Sequence, residues 1–119
     1  MRLFLSLTAV FEIATGVAFA AVPDLATELL AGVSIAEPAA LVIARLAGLA
    51  LVALGGACWL ARDDRGSAAG RALLMAMMFY NVTVIILLVY AALGPGLVGI
   101  LLWPAVVAHA ALGAWCARE

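Results

Sequence analysis

The stretch LFLSLTAVFEIATGVAFAAV, residues 3–22, decides the fold, because it is apolar for a full bilayer's width and carries one carboxylate, Glu12, near its middle. Crossing the hydrocarbon core takes about 20 mostly apolar residues, each rising about 1.5 Å in a helix. Met1-Arg2 before it and Ala18-Phe19-Ala20 near its end imitate a secretory leader and its cleavage site. A leader's apolar core runs only about 7–15 residues. Residues 3–22 are longer and hold a charge at their centre, so we read them as a first membrane helix.

The rest of the chain agrees. Hydrophobic residues make up 69% of the 119 and charged residues 11%, with no lysine among them. Soluble domains run about 45–50% apolar and about 25% charged. A chain this greasy cannot clothe its own surface in polar groups, so the lipid bilayer is its expected partner. The net charge of −1 and the lack of a basic stripe argue against nucleic acid, which needs a dense cationic face.

Pro23 closes the first span, and Asp24–Gly32 reads as a short interfacial helix. Ser34-Ile35-Ala36-Glu37 has capping-box spacing, and Pro38 suits a first helical turn. The second span then covers 38–61. Arg62-Asp63-Asp64-Arg65-Gly66-Ser67 is a turn by composition. A third span covers 70–93, Gly94-Pro95-Gly96 breaks it, and a fourth covers 97–117. A helix starting at Pro104 is too short to cross, so the sequence predicts a kink there. The expected fold is therefore all-α, one four-helix transmembrane bundle over residues 1–119.

Arginines set the orientation. Arg2, Arg62, Arg65, Arg71 and Arg118 fall at the N-terminus, the second loop and the C-terminus, whereas the first and third loops have none. The positive-inside rule then puts both termini in the cytoplasm of a bacterial inner membrane. Trp59, Trp115 and Phe4 suit an aromatic belt at that side.

Each span carries one polar residue out of place in oil: Glu12, Arg45, Asn81 and His109. Counted from the inner arginines, Glu12 and Asn81 lie roughly 15 Å deep and His109 about 13–14 Å. Arg45 lies roughly 25 Å up, in the outer third. Charges at such depth cost a few kcal/mol or more and so face the protein interior, water or each other. Arg45 either pairs with Glu12 or snorkels outward to phosphate or to Asp24, Glu28 or Glu37. Small residues flank the set: Thr8, Ala9, Thr15 and Gly16 near Glu12, Ala40, Ala44 and Gly48 near Arg45, and Ala105 and Gly113 near His109. These allow close helix approach. Tyr80 stands beside Asn81.

The plain alternative is structural. Asn81 then bonds across helices, His109 is a satisfied interior histidine, and Glu12 is locked in a pair. Cys58 and Cys116 read as packing residues, with a redox pair as the alternative, and Met75, Met77 and Met78 spread around their helix. No metal site, cofactor, nucleotide loop, catalytic triad or paired acid–base carboxylates can be read, so a non-enzymatic role is favoured. A faint echo relates Arg2, Phe11 and Glu12 to Arg71, Tyr80 and Asn81 at equal spacing. Such parallel halves occur in transporters.

Ala44-Arg45-Leu46-Ala47-Gly48-Leu49-Ala50-Leu51-Val52-Ala53-Leu54-Gly55 resembles the second helix of bacterial DoxX-like small membrane proteins. The resemblance covers this stretch and implies a four-helix bundle, with a few members tied to quinone-linked redox or membrane complexes. Glu12-Ile13-Ala14-Thr15-Gly16 is similar to the helix-one Glu region of small multidrug resistance transporters. The residues after it depart from that pattern, and so do Arg45 and the arginine bias, which places the chain outside that family. The expectation is a site of Glu12, Arg45, Asn81, His109 and Tyr80 that binds or transports a small ligand or ion, with or without linkage to protons, in a homo-oligomer or membrane complex. The alternatives are a structural or accessory subunit and a quinone-linked redox partner.

Overall fold

A computed structural model describes residues 1–64 and 66–119, and among them the only regular elements are helices. These are α1 (Arg2–Ala21), α2 (Pro23–Ala31), α3 (Pro38–Ala61), α4 (Ala68–Leu93) and α5 (Leu102–Cys116). Three of them, α1, α3 and α4, are long and apolar enough to cross a membrane. Their outer faces are oily throughout: Val42, Ile43, Leu46, Phe79, Ile86 and Leu87 are all exposed. Arg65, one of the arginines used to orient the chain, lies outside the described residues.

Local chemistry sets the boundaries. Pro23 and Pro38 each open a helix, where a missing N–H costs nothing because first-turn amides have no helical acceptor. Gly32 ends α2 at φ 74°, a left-handed conformation that a side chain would strain. Ser67 caps α4 by accepting from the Gly70 amide at 3.0 Å. At the start of α3 the cap differs from the capping box expected at Ser34. Glu37 itself accepts from the Ala40 amide at 2.7 Å. The Ser34 hydroxyl instead donates to Asp24 Oδ1 at 2.6 Å, and the Ile35 amide to the same oxygen at 2.7 Å. Those two donors hold the Asp24 carboxyl below the usual carboxylate range.

The fourth apolar helix also differs from expectation. It begins at Leu102 and spans 15 residues, not 97–117, and Pro104 stands in its first turn, where a proline breaks no helical hydrogen bond, and not inside a longer helix. The Leu101 carbonyl accepts the first helical bond, from Ala105 at 2.9 Å. Residues 97–101 are non-helical because α2 offers them other acceptors. The Gly99 amide donates to the Leu30 carbonyl at 3.0 Å and the Leu101 amide to the Leu29 carbonyl at 2.8 Å. A Cβ on Gly99 would collide with the Leu29 carbonyl, so only glycine allows this approach.

The helices assemble as two antiparallel pairs, α1 with α3 and α4 with α5. The first seam is built on glycine. A Cβ on Gly16 would stand 2.5 Å from the Gly48 carbonyl oxygen, and one on Gly48 would stand 2.5 Å from that of Gly16. Further along, a Cβ on Gly55 would meet the Ala9 carbonyl at 2.9 Å. Small residues let the backbones touch where lipid supplies no drive to associate. In the second pair the Cys116 thiol donates to the Leu74 carbonyl at 3.2 Å. Cys58 and Cys116 are both free thiols in one core with Phe4, Leu5 and Met77.

One end of the molecule holds the ion pairs. The Met1 amino group pairs with the Glu119 carboxylate, and Arg2 Nε lies 3.0 Å from Asp63 Oδ1. The start of α1, the α3–α4 turn and the C-terminus thus share an end, as the arginine pattern implied. Trp59 sits there beneath the Arg62 guanidinium, 4.1 Å from its ring centre. Phe4, expected in a surface belt, is instead fully buried against Trp115.

Candidate functional site

Four of the five sequence-selected residues meet where the two helix pairs face each other. Glu12 on α1 and Asn81 on α4 have no exposed surface, and His109 on α5 is 5% exposed. The Tyr80 hydroxyl donates to Glu12 Oε2 at 3.1 Å and so joins α4 to α1. Asn81 Nδ2 donates to the Met77 carbonyl at 2.7 Å, which turns its Oδ1 toward His109 Nδ1 at 2.9 Å. An amide oxygen only accepts, so Nδ1 carries the hydrogen and, in the neutral ring, Nε2 is an acceptor. Phe11 and Tyr80 stand edge-on to the His109 ring at 5.6 and 5.5 Å. Phe11 and Tyr80 are the paired positions of the sequence echo, and they flank His109 from the two helix pairs.

Arg45 is not part of this group. Its guanidinium is exposed and Nη1 donates to the Ala20 carbonyl at 2.5 Å. It does not pair with Glu12, and of the outward acidic residues it meets none of Asp24, Glu28 and Glu37. The reason is register. Gly48 packs on Gly16 and Gly55 on Ala9, which sets Arg45 opposite Ala20 at the end of α1. The last carbonyls of a helix lack helical donors and carry partial negative charge, so an arginine is a suitable cap.

Two oxygens are enclosed without a partner among the described residues: Glu12 Oε1 and Thr8 Oγ1. They lie one turn apart on α1, and spacing of four residues puts them on one face. Thr8 had been legible only as a small neighbour of Glu12. A carboxyl with one bare buried oxygen is costly when charged, and a proton, a water or a bound group on that oxygen relieves the cost.

Above this polar floor a cavity of about 830 Å³ opens between the helix pairs. His109, Tyr80 and Thr15 are its polar lining, and the walls are apolar, with Phe19, Leu51 and Leu87 among them. Leu29 and Leu30 of α2 and Leu101 also line it, three of the four residues, with Gly99, whose backbones join α2 to the 97–101 segment. Its size falls in the range of about 300–1,000 Å³ typical of small-molecule sites. Thr15 was not selected from the sequence. Its signal is its place one turn beyond Phe11 on the face that carries Glu12. No group of three or more His, Cys, Asp or Glu side chains able to hold a metal occurs among the described residues.

No family model, curated protein or solved structure matches this chain.

Proposed function

We propose that the chain is a small integral protein of a bacterial inner membrane, with both termini cytoplasmic, that binds or carries a small ligand or ion in proton-linked fashion. In this reading α1, α3 and α4 cross the bilayer, and α5 completes a fourth crossing together with the 97–101 segment. Backbone outside a helix is tolerated at such depth when it is paired and either buried in protein or lining a cavity; Gly99 is paired and buried, and Leu101 is paired and lines the cavity. The DoxX-like resemblance of residues 44–55 fits a bundle of this kind.

One observation carries the reading. A cavity ends on Tyr80 and His109, and the Tyr80 hydroxyl rests on a carboxyl whose other oxygen is enclosed and unpaired. Glu12 is placed to hold a proton, Tyr80 to transmit a change in the cavity to it, and Asn81 to fix His109. The test is a pH jump across proteoliposomes loaded with a pH-sensitive dye. Wild type should show proton uptake or flux that Glu12→Gln removes. Identical traces from the two proteins would exclude Glu12 as a proton carrier.

A structural reading has its own support, because Asn81 bonds both the Met77 carbonyl and His109 Nδ1 and so ties α4 to α5. In that case Glu12→Gln changes thermal stability in detergent and leaves the proton response as it was.

A further inference from the structure

Resting on the reading of an intramembrane binding site, we infer that the cavity takes a neutral, lipid-soluble molecule whose head group is a hydroxyl that donates to His109 Nε2. Asn81 makes the choice. By spending its own N–H on the Met77 carbonyl it fixes the His109 hydrogen on Nδ1. The second ring nitrogen has no protein partner, yet the enclosed and unpaired atoms are Thr8 Oγ1 and Glu12 Oε1 alone among the described residues. Nε2 therefore keeps access to the cavity that His109 lines.

Thr15 supplies the complement. Thr27 and Thr83 spend their hydroxyls on carbonyls four residues back, at 2.7 and 2.9 Å. Thr15 makes no such bond, lines the cavity and has a hydrogen to give. A hydroxyl is the smallest neutral group that can both donate to His109 and accept from Thr15, and it carries less polar surface into the apolar cavity than an amide or a carboxylic acid does. A ketone or ester only accepts and leaves Nε2 bare. An ammonium needs a carboxylate, and the lining contains none. A carboxylate would confront the Nε2 lone pair and lose its hydration in an apolar cavity. Tyr80 cannot take the role, because its hydroxyl is committed to Glu12. The apolar walls around Leu51, Val84 and Leu88 receive the rest of the molecule. Long-chain alcohols, isoprenoid alcohols and hydrophobic phenols share this chemistry.

The experiment uses the full chain in lipid nanodiscs and measures equilibrium binding of dodecan-1-ol and of dodecyl methyl ether, which accepts a hydrogen bond but cannot donate one. Wild type should bind the alcohol saturably and roughly tenfold more tightly than the ether, the worth of one buried hydrogen bond. His109→Phe should erase that preference. Thr15→Val, which conserves shape and leaves the His109 lock untouched, should weaken both probes, because each accepts from the Thr15 hydroxyl, and should leave the preference in place. Ala105→Leu should weaken both probes by filling the cavity. Farnesol and a hydrophobic phenol, run in parallel, separate the sources. Equal affinity for alcohol and ether overturns the head-group assignment, and if Ala105→Leu still blocks both, the binding reading stands. Saturable binding that ignores Ala105→Leu, or no binding of either probe, overturns the inference, while the Glu12→Gln proton test decides the broader reading separately.

Discussion

Tyr80 reaches from α4 to α1 and donates its hydroxyl to Glu12 Oε2 at 3.1 Å, bridging two helices whose backbones stay apart. Most of the packing lies within the α1–α3 and α4–α5 pairs, so this bond sits where the halves meet and where the cavity has its floor. Tyr80→Phe keeps the ring against His109 and removes only the donor. It should lower stability by about 1 kcal/mol, the usual net worth of a hydrogen bond. It also leaves both Glu12 oxygens unpaired. Chemical denaturation in detergent measures the loss, and Tyr80→Phe combined with Glu12→Gln should cost less than the two changes summed.

Asn81 offers a sharper contrast. Asn81→Asp keeps an acceptor for the His109 N–H but loses the donor to Met77, whereas Asn81→Leu leaves Nδ1–H buried without a partner. Interhelical polar contacts in membranes average about 0.6 kcal/mol and reach about 1.7, and an orphaned buried donor adds to that. We expect Asn81→Leu to cost about 2 kcal/mol and to change the His109 ring nitrogen signals. Unchanged ¹⁵N chemical shifts at His109 in Asn81→Leu would contradict the tautomer assignment.

Much of this arrangement was legible in the sequence. Counting residues from the inner arginines put Glu12, Asn81 and His109 at one level, and Tyr80 beside Asn81 joins them. Helix periodicity and rise are fixed quantities, so depth can be read without knowing the packing. Partners cannot be read that way. Arg45 pairs with a backbone carbonyl because glycines 16, 48 and 55 fix the rotation and register of α1 on α3, and no composition rule specifies that seam. Pro104 was misread for a related reason. Whether a proline kinks a helix or opens one depended on α2 offering carbonyls to residues 99 and 101, a contact between segments about 70 residues apart.

The α1–α3 seam gives a direct comparison between glycines. A methyl on Gly48 would meet backbone on three sides, the Ala20 nitrogen, the Gly16 oxygen and the Phe19 carbonyl carbon, at 2.5, 2.5 and 3.0 Å. None of these is a flexible side chain that can move aside. A methyl on Gly56 meets nothing within 4 Å. Gly48→Ala should therefore destabilise by about 2 kcal/mol or more, as overpacking does. Gly56→Ala should gain about 0.5–1 kcal/mol from helix propensity. Thermal midpoints of the two variants should move in opposite directions, and movement in the same direction would refute the seam.

Asp24 ties the first turn of α2 to the segment leading into α3 through Ser34 and Ile35. Its carboxyl titrates lower when folded than when unfolded. The stability it lends is present above the ordinary Asp range and is lost as pH falls through the lowered folded value. The Ile35 amide should thus be protected from hydrogen exchange at neutral pH and lose protection in strong acid. Asp24→Asn should flatten that acid dependence, because the amide has no proton to gain. An Ile35 protection factor with the same acid profile in both proteins would rule out the link.

Arg45 decides between a charge pair and a helix cap. Its guanidinium meets the Ala20 carbonyl, and Ala20 lies eight residues beyond Glu12, which is about 12 Å along the axis. A bond to a terminal carbonyl, helped by the helix dipole, is worth about 1 kcal/mol. Arg45→Gln should lose less than that, since an amide can still donate to the same oxygen but carries no charge. If instead Arg45 neutralised Glu12, removing either charge would strand the other, at a cost of about 3–5 kcal/mol. A double-mutant cycle between Arg45→Gln and Glu12→Gln separates the two. Independent sites add to within about 0.3–0.5 kcal/mol, whereas contacting pairs couple by up to about 3. Additivity is the expected result, and with it an Arg45→Gln protein that keeps every pH response belonging to Glu12. A coupling energy above about 1 kcal/mol would return Arg45 to the polar floor.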